Sequence, residues 1–411
     1  MNTAFFFIGL VVTVLLYQVF QLVYRLAFHP LRRFPGPPLA ALTHYYRAYY
    51  ELLCDGGWVE NLEVLHARYG PIVRVSPTEV DFSEPAAYEE IMSKHPKYHG
   101  FYRTLAKPEA QALTTIVDPK EASRRRSRIG SYFSRRAVLR LEHIVQEKVD
   151  KLTRILCSYA ACGRPVNLTY AYRATTLDAI TSYLFAQELN TLDYPDFQHP
   201  MLSTIRELLK NIWFSKYLPL PNLDQLPEFV VRWLFPSAVP MLEQQKYLAE
   251  QLERLAQEHP SIDGLGHKVI FDVFLDEKSD GKTSWVIPRQ QLLDEALSLQ
   301  IAASDTTANT CMVGTYHILT KPRVQAALRR ELDEAWSVSE GPPNYEKLEK
   351  LPYLTAVIKE SLRLSIGITS ALPRLVERPG SFVMGTSIPL DRRIVQFLLY
   401  PYESDDISES I

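Results

Sequence analysis

A polar stretch, "SDTTAN" at residues 304–309, interrupts a run that is otherwise apolar and helical. Buried polar groups cost free energy unless they find partners, and Ser or Thr inside a helix can bond the carbonyl one turn back. Helix bulges of that kind are frequent at functional sites. Asp305 lies beside Thr306, and an acid next to an alcohol can order water and relay a proton. A helix merely capped or crossed by another polar element would explain the same pattern.

A second pair of residues that could serve a chemical function lies in "KESLRL", residues 359–364. Glu360 and Arg363 are spaced i,i+3, which places both on one side of a helix. Apolar neighbours such as Ile358 favour a partly buried ion pair, and losing one partner of a buried pair costs about 3–5 kcal/mol. Most Glu-x-x-Arg pairs lie on protein surfaces, so the motif alone is weak evidence.

A basic run, "RRRSR" at residues 124–128, lies on a predicted helix. Guanidinium groups hold carboxylates or phosphates in a forked geometry. In isolation, a solvated charged helix face is the simpler explanation.

The elements that must position these residues are mostly helices. We predict a helix from about 289 to 319, buried nearly all round, and an amphipathic helix over 134–160 with Val145 on its apolar face. Short strands are predicted at 71–83 and between 372 and 394. This order of elements indicates an α+β fold, mainly α with small β-sheets.

Composition excludes several classes of protein. The net charge of −2 gives no global field that would attract nucleic acid. The four cysteines are too few and too scattered for a disulfide framework, and no metal-binding Cys-x-x-Cys occurs. A reducing compartment is the simpler interpretation.

The N-terminus predicts a membrane anchor. Residues 1–24 contain no charged side chain. A helix of roughly 20 apolar residues spans a bilayer, and this segment is long enough to do so. Arg25, Arg32 and Arg33 come next, and the positive-inside rule places the body of the protein on the cytoplasmic side. A cleavable signal peptide, which usually carries its charge before the apolar run, and a buried core helix are the alternatives. "FPGPP" at 34–38 makes a stiff exit from the membrane.

Taken together and in this order, these features resemble the cytochrome P-450 family of haem-thiolate monooxygenases. "AASDTT" (302–307) matches the family's oxygen-activation motif, [AG]-G-x-[DE]-T-[TS], with Ala303 in place of the usual Gly. "KESLRL" contains its Glu-x-x-Arg motif, and "ALPRLVERPG" (371–380) resembles the strand after that motif. The anchor and hinge resemble the microsomal branch. "KHPKYHGFYRTL" with "RRRSRIGSYFSRR" is similar to fungal members that oxidise terpenoid and other secondary metabolites, such as trichodiene oxygenase.

The resemblance implies a P-450-like fold with haem b as cofactor and site residues to match. Asp305 and Thr306 would be catalytic and would supply protons during oxygen activation. Arg126 and Arg374 would bind the haem propionates, and Glu360–Arg363 would be a structural ion pair.

The resemblance also implies partners and a location. These are NADPH-cytochrome P-450 reductase, a lipophilic small-molecule substrate and the endoplasmic reticulum membrane, crossed once with the body of the protein in the cytosol. Nucleic acid is not expected as a partner.

Two departures from the family alter these expectations. Ala122 stands where members usually have His or Trp, one turn before Arg126. The Phe-x-x-Gly-x-Arg-x-Cys-x-Gly loop, which supplies the axial thiolate, does not occur, and the last cysteine is Cys311 on the central helix. No protein ligand to the iron is therefore predicted. We expect the 411 residues to bind haem weakly or not at all and to be inactive. The alternative function is a non-enzymatic pseudo-enzyme or membrane-bound interaction protein.

The predicted organisation has four parts. Residues 1–24 form the transmembrane anchor, and residues 25–38 form a basic and proline-rich hinge. Residues 39–390 form a P-450-like domain that lacks its C-terminal haem-binding part. Residues 391–411 form a divergent acidic tail whose composition is typical of disorder.

Overall fold

The computed structural model describes residues 2–105, 111–217, 226–236, 239–262, 269–277, 283–285, 287–336, 344–367 and 372–396. The helices in these ranges are α1 (Asn2–Val23), α2 (Pro38–Leu42), α3 (Tyr45–Ala48), α4 (Trp58–Tyr69), α5 (Ala86–Lys94), α6 (His99–Leu105), α7 (Pro119–Gly130), α8 (Arg135–Arg140), α9 (Glu142–Ala161), α10 (Leu168–Phe185), α11 (Pro200–Tyr217), α12 (Glu228–Leu234), α13 (Val239–Ile262), α14 (Arg289–Thr320), α15 (Pro322–Ala335), α16 (Tyr345–Leu348) and α17 (Pro352–Ser365). The strands are β1 (Ile72–Ser76), β2 (Glu79–Phe82), β3 (Leu275–Glu277), β4 (Thr283–Trp285), β5 (Arg374–Leu375), β6 (Ser381–Val383), β7 (Thr386–Ile388) and β8 (Arg393–Gln396). The predicted class, mainly α with small sheets, is confirmed.

Two compact units divide the chain. The first comprises residues 1–104, 213–219 and 368–401. The second comprises residues 105–212, 220–367 and 402–411. Helix α11 begins in the second unit and ends in the first.

A four-stranded sheet organises the first unit, in the order β1-β2-β8-β5. Strands β1 and β2 form an antiparallel hairpin, and β2 then pairs with β8 in parallel, with Val80 opposite Ile394. Strand β5 closes the other edge of the sheet antiparallel to β8. Strands β6 and β7 form a separate antiparallel pair. The strands predicted at 71–83 and between 372 and 394 are present.

Strand β8 begins inside the segment that we assigned to the acidic tail. Ile394 and Val395 are fully buried, and they join the apolar clusters on the two faces of this sheet. Residues 393–396 are therefore part of the sheet. The rest of the predicted tail lies outside the described residues.

The entry into β1 depends on a glycine. Gly70 ends α4 with φ +93°, a left-handed conformation that glycine adopts without a Cβ penalty, and its N–H donates to the carbonyl of His66. This turn lets Trp58 and Leu62 of α4 pack on Val73 of β1.

Helix α14 is the central element of the second unit, where it packs against α10, α13 and α17. Its boundaries, Arg289–Thr320, agree with the predicted helix over 289–319. The N-terminal half of α14 contributes Leu292, Ala296 and Leu297 to an apolar core that includes Phe185 and Phe271. The rings of those two phenylalanines stack 5.5 Å apart.

The structure of residues 134–160 differs in two ways from the single amphipathic helix that we predicted. This segment forms two helices, α8 and α9, which meet at Leu141. The prediction was also wrong at Val145, which is 50% exposed, whereas Ile144 and Lys148 are buried; Leu152, on the same predicted face, is 6% exposed. A period of three to four residues does not distinguish two adjacent apolar stripes, which explains the error at Val145.

Helix α1 is apolar along its length, and its side chains are exposed from Phe5 to Phe20. Residues Phe5–Phe28 form one helical stretch that is long and apolar enough to cross a membrane, with a mean hydropathy of 2.2. Its final turn, Tyr24–Phe28, is a π-helix.

Candidate active site

The polar stretch of α14 satisfies most of its hydroxyls within the helix itself. The hydroxyl of Ser304 donates to the carbonyl of Gln300, and that of Thr306 donates to the carbonyl of Ala302, each at 2.8 Å. Thr310 donates in the same way to Thr306 at 3.2 Å. These are the bonds one turn back that the sequence predicted. Helix α14 nevertheless continues through the stretch as an uninterrupted α-helix, so the expected bulge is absent from it.

The prediction that α14 is buried nearly all round was wrong for this part of the helix. Ser304 and Ala308 are buried, but Ala302, Thr306 and Thr307 are exposed. The helix therefore has a small, polar and accessible face that contains the hydroxyl of Thr306. Its opposite face packs against α10, where Thr176 donates to the carbonyl of Ser304 at 2.9 Å.

Asp305 forms an ion pair that the sequence did not reveal. Its Oδ1 lies 2.7 Å from Nε of Arg173 on α10, and both side chains are about a quarter exposed. Pairs with this much solvent contact contribute about 0–1 kcal/mol to stability. The main effect of Arg173 is therefore to orient the carboxylate next to Thr306.

Asn309 and Thr310, at the end of the polar stretch, join α14 to α17. The Asn309 amide donates to the carbonyl of Ser365 at 2.7 Å, and the hydroxyls of Thr310 and Ser365 are 3.0 Å apart. Ser365 is the last residue of α17, where carbonyls lack partners within their own helix. Part of the polarity in this stretch is thus structural.

Gly314 sets how closely α14 and α17 can approach. A Cβ at this position would lie 2.5 Å from Oγ and 3.1 Å from Cβ of Ser361. We expect Gly314→Ala to lower the free energy of unfolding by about 1–3 kcal/mol, because overpacking forces neighbouring groups to shift. Denaturant unfolding of the purified chain measures this change.

Two further variants control the experiment. Gly130→Ala adds a methyl group at a helical position with nothing within 4 Å, and we expect no loss of stability there. Adding Ser361→Ala to Gly314→Ala removes the closest atom and should restore part of the loss. A Gly314→Ala chain as stable as the unmodified chain would contradict the close approach.

Glu360 and Arg363 form a bidentate pair on α17, with distances of 2.7 and 2.6 Å. Their side chains are 26% and 27% exposed, so the pair is half-buried. The hydrogen bond and charge of Arg363 outweigh the effect of burial and lower the pKa of Glu360. Ile358 and Leu362 on the same helix are 49% and 58% exposed. The role of the pair in supporting a haem pocket remains a prediction.

The basic run on α7 has one buried arginine and several exposed ones. Arg125 is buried; it donates to the carbonyl of Gln111 at 2.6 Å and to Oε1 of Gln291 at 2.8 Å, and it lies 3.6 Å from Glu295. Arg126, which the family motif singles out, is exposed. Its assignment to a haem propionate remains a prediction.

Arg374 lies on β5 in the first unit and is half-buried. Its Nε lies 3.2 Å from the sulfur of Met92, and its guanidinium is 6.0 Å from the ring centroid of Tyr102. Its assignment to a propionate also remains a prediction.

The thiols of the chain do not fit an axial haem ligand. Cys157 and Cys162 are exposed at the end of α9. Cys311 is exposed on α14 itself, only five residues beyond Thr306, and partial desolvation by the surrounding protein raises the pKa of its thiol, so the thiolate form that ligates iron is disfavoured. Cys54 is half-buried in the first unit. The distal and propionate contacts therefore remain predictions, and a suitable thiolate is not among the described residues.

Comparison with known proteins identifies the family. The family model described as cytochrome P450 matches residues 35–406. The cytochrome P450 monooxygenase BOT1 of Botryotinia fuckeliana is 31% identical over 91% of this chain and 74% of that relative. The conidiogenone synthase PchP450 of Penicillium rubens is 33% identical over 86% of this chain and 70% of the relative. The cytochrome P450 monooxygenase TRI4 of Trichoderma arundinaceum is 30% identical over 95% and 76%.

A solved structure shows the same fold. The crystal structure of the cytochrome P450DA haem domain superposes with a TM-score of 0.66 over 88% of this chain and 76% of that chain, at 15% sequence identity. The family binds haem, and BOT1 and TRI4 are monooxygenases from fungi. The chain is a member of the cytochrome P450 family.

Proposed function

We propose that the chain has the scaffold of a membrane-bound monooxygenase of fungal secondary metabolism, which hydroxylates a lipophilic substrate, such as a terpenoid, once an axial thiolate is supplied. Dioxygen would be the oxidant, and NADPH-cytochrome P-450 reductase would supply the electrons. Similarity to the fungal monooxygenases supports the reaction class, and the apolar α1 supports a substrate that partitions into membranes.

The observation that carries the proposal is the accessible hydroxyl of Thr306 next to Asp305. Haem, when bound, supplies oxygen activation. In this chain, the hydroxyl oxygen of Thr306, whose proton is donated to Ala302, would accept a hydrogen bond from a water molecule, and Asp305, oriented by Arg173, would pass protons to that water. Arg126 and Arg374 would bind the haem carboxylates through their guanidinium groups.

A chimaera tests this function, because the family's cysteine loop does not occur among the 411 residues. In the chimaera, a segment that contains that loop replaces the residues after Gln396, so that strand β8 is kept. We expect microsomes with the chimaera and the reductase to add one oxygen atom to a terpene hydrocarbon in the presence of NADPH.

In the chimaera, Asp305→Asn should lower kcat by about 100-fold or more, since positioned proton transfer contributes about that factor. Thr306→Ser, which keeps the hydroxyl, should be close to the parent, and Thr306→Val should resemble Asp305→Asn. Full activity in Asp305→Asn would contradict the proton relay.

We also propose that α1 anchors the chain in the endoplasmic reticulum, with the body in the cytosol. The charge-free helix and the adjoining Arg25, Arg32 and Arg33 support this topology. On α12, Phe229 and Trp233 are 73% and 81% exposed, which suits a further contact with the bilayer surface.

Deleting residues 2–24 should move the chain from the membrane pellet to the supernatant after carbonate extraction. A chain with a shuffled but equally apolar α1 should stay in the pellet, because hydropathy rather than sequence drives insertion. An N-glycosylation acceptor placed in the body should stay unmodified. Its glycosylation would show that the body enters the lumen and would refute the topology.

A further inference from the structure

Basic side chains converge where the apolar N-terminal helix ends. Arg25 and His29 lie at the end of the span Phe5–Phe28, and Arg74 projects from β1. Arg392 lies two residues before Ile394 of β8, and Ile394 is joined to Arg74 across the sheet through Val80. The charge of Arg392 acts on both Arg74 and His29. These four residues, all in the first unit, form the basic cluster.

Arg74 is buried, with 3% of its surface exposed, and its partners are neutral. Its guanidinium donates to the carbonyls of Arg25 and Pro77, each at 3.0 Å, and to that of Ser76 at 3.4 Å. It also lies 3.3 Å from Nδ1 of His29. Among the described residues it has no carboxylate partner. Charged groups buried in this way are usually paired.

Another arginine of the same unit shows the usual arrangement. Arg47 is also buried, but it lies 2.6 Å from a carboxylate oxygen of Glu51 and 3.0 Å from one of Glu79. The lack of an anion at Arg74 is therefore a local property of the basic cluster.

Burial and positive charges that act on one another, with no compensating anion among the described residues, lower the pKa values of two members of the basic cluster. Burial and the charges of Arg392 and Arg25 lower the pKa of Arg74 to about 10. Burial and the charges of Arg74, Arg392 and Arg25 lower the pKa of His29 to about 4, so its ring is neutral at pH 7. The Nε of Arg392 is buried and has no hydrogen-bond partner in the described part of the chain. The cluster thus offers a free donor and a local excess of positive charge to an anion.

We propose that the basic cluster binds the phosphate of an anionic phospholipid headgroup. Guanidinium groups match phosphate oxygens in bidentate geometry, and several around one anion strengthen that preference. The position of the cluster selects a lipid over a soluble anion, because the last turn of a membrane-spanning helix lies at headgroup depth. The proposal rests on the proposed anchoring by α1.

The test uses the full chain in nanodiscs of phosphatidylcholine, with or without a minor fraction of phosphatidic acid. Native mass spectrometry counts the phosphatidic acid molecules that remain bound after release from the disc. We expect one to remain on the unmodified chain and its retention to fall about 10-fold or more in Arg392→Gln, because a charge-assisted contact is lost. Arg74→Gln should lose it as well.

Arg32→Gln is the matched control. Arg32 belongs to the same juxtamembrane basic run, but it is exposed and donates to the carbonyl of Ala27. The Arg32→Gln variant should retain phosphatidic acid as the unmodified chain does. Raising the salt concentration should weaken retention little, since buried charges are screened less than exposed ones.

Each contrary outcome has a distinct meaning. Equal loss in Arg32→Gln and Arg392→Gln would mean general attraction to a charged surface and would overturn the site. Inorganic phosphate that displaces the lipid or stabilises the chain equally well would overturn the assignment to a lipid. Arg392→Gln decides the question if Arg74→Gln fails to fold.

Flotation with vesicles of phosphatidylcholine alone reports the anchoring by α1 separately. A chain that floats but shows no preference for phosphatidic acid would refute the site and leave the anchor intact. A chain that does not float but retains phosphatidic acid in detergent would refute the anchor and support the site.

Discussion

Replacing Glu51 by Gln is expected to lower the free energy of unfolding by about 3–5 kcal/mol, because it removes one charge from a buried ionic cluster. The Glu51 side chain is 4% exposed. It lies 2.6 Å from Nε of Arg47 and 2.6 Å from Nζ of Lys216, and it also accepts a hydrogen bond from the hydroxyl of Tyr217. Glutamine keeps the shape of the side chain but removes the carboxylate that pairs with Lys216 and leaves Arg47 with Glu79. Denaturant unfolding measures the loss.

Glu63→Gln is the control, because Glu63 is exposed on α4 of the same unit. Exposed substitutions of this kind usually change stability by less than about 0.5 kcal/mol. Equal stability of the two variants would show that the Glu51 cluster contributes little.

The pH dependence of the Glu51 effect has a defined sign. Burial raises the pKa of Glu51, but Arg47 and Lys216 outweigh it and hold the pKa below its ordinary value of 4.5. A lowered carboxyl pKa contributes stability that is present above the unfolded value and is lost as the pH falls through the folded value. The stability difference between the unmodified chain and Glu51→Gln should therefore be constant near neutrality and shrink at pH values below about 4.5.

Local features of the structure were predictable from the sequence. The bounds of α14 agree with Pro288 before it and with its continuous helical pattern. The hairpin of β1 and β2 agrees with the alternation around Pro77. The bonds that Ser304 and Thr306 make to their own helix depend on residue type alone, because the acceptor lies one turn away.

Contacts between distant parts of the chain were not predictable. Nothing near Asp305 in the sequence indicates Arg173, because α10 and α14 meet only through tertiary packing. The same holds for Asn309, whose partner is the C-terminal carbonyl of α17. A polar residue inside a helix can thus serve chemistry or packing, and composition does not separate the two.

Charged residues next to each other in sequence can also have different roles. Arg125 is buried against Gln291 and Glu295, whereas Arg126 is exposed. Lys148 occupies a position in α9 that an apolar residue would be expected to fill, with 2% of its side chain exposed and its amine paired with Glu147 and Glu188. The alkyl chain of lysine can be buried while its charge finds a partner at the edge of the core. Charge alone therefore does not mark the solvent face.

The 411 residues, expressed as they stand and reduced under carbon monoxide, are expected to lack the Soret band typical of thiolate-ligated haem. Donation from an axial thiolate drives the O–O cleavage on which this family depends. Cys311 is exposed on the helix of Asp305 and Thr306, and partial desolvation raises the pKa of its thiol, which disfavours the thiolate. NADPH-dependent turnover with the reductase should be absent as well, which would favour the alternative of a non-enzymatic, membrane-bound protein.

Two further chains make the carbon monoxide experiment decisive. The chimaera with the family's cysteine loop should show both the band and turnover, because it restores a thiolate while keeping α14 unchanged. A band in the unmodified 411 residues would overturn the expectation, and its loss in Cys311→Ser would identify Cys311 as the ligand. Survival of that band in Cys311→Ser would point to Cys54, Cys157 or Cys162 instead. If no chain shows the band, the chimaera included, the packing of α14 and α17 does not form a haem pocket. The absence of haem binding would then be due to the scaffold and not to the missing thiolate.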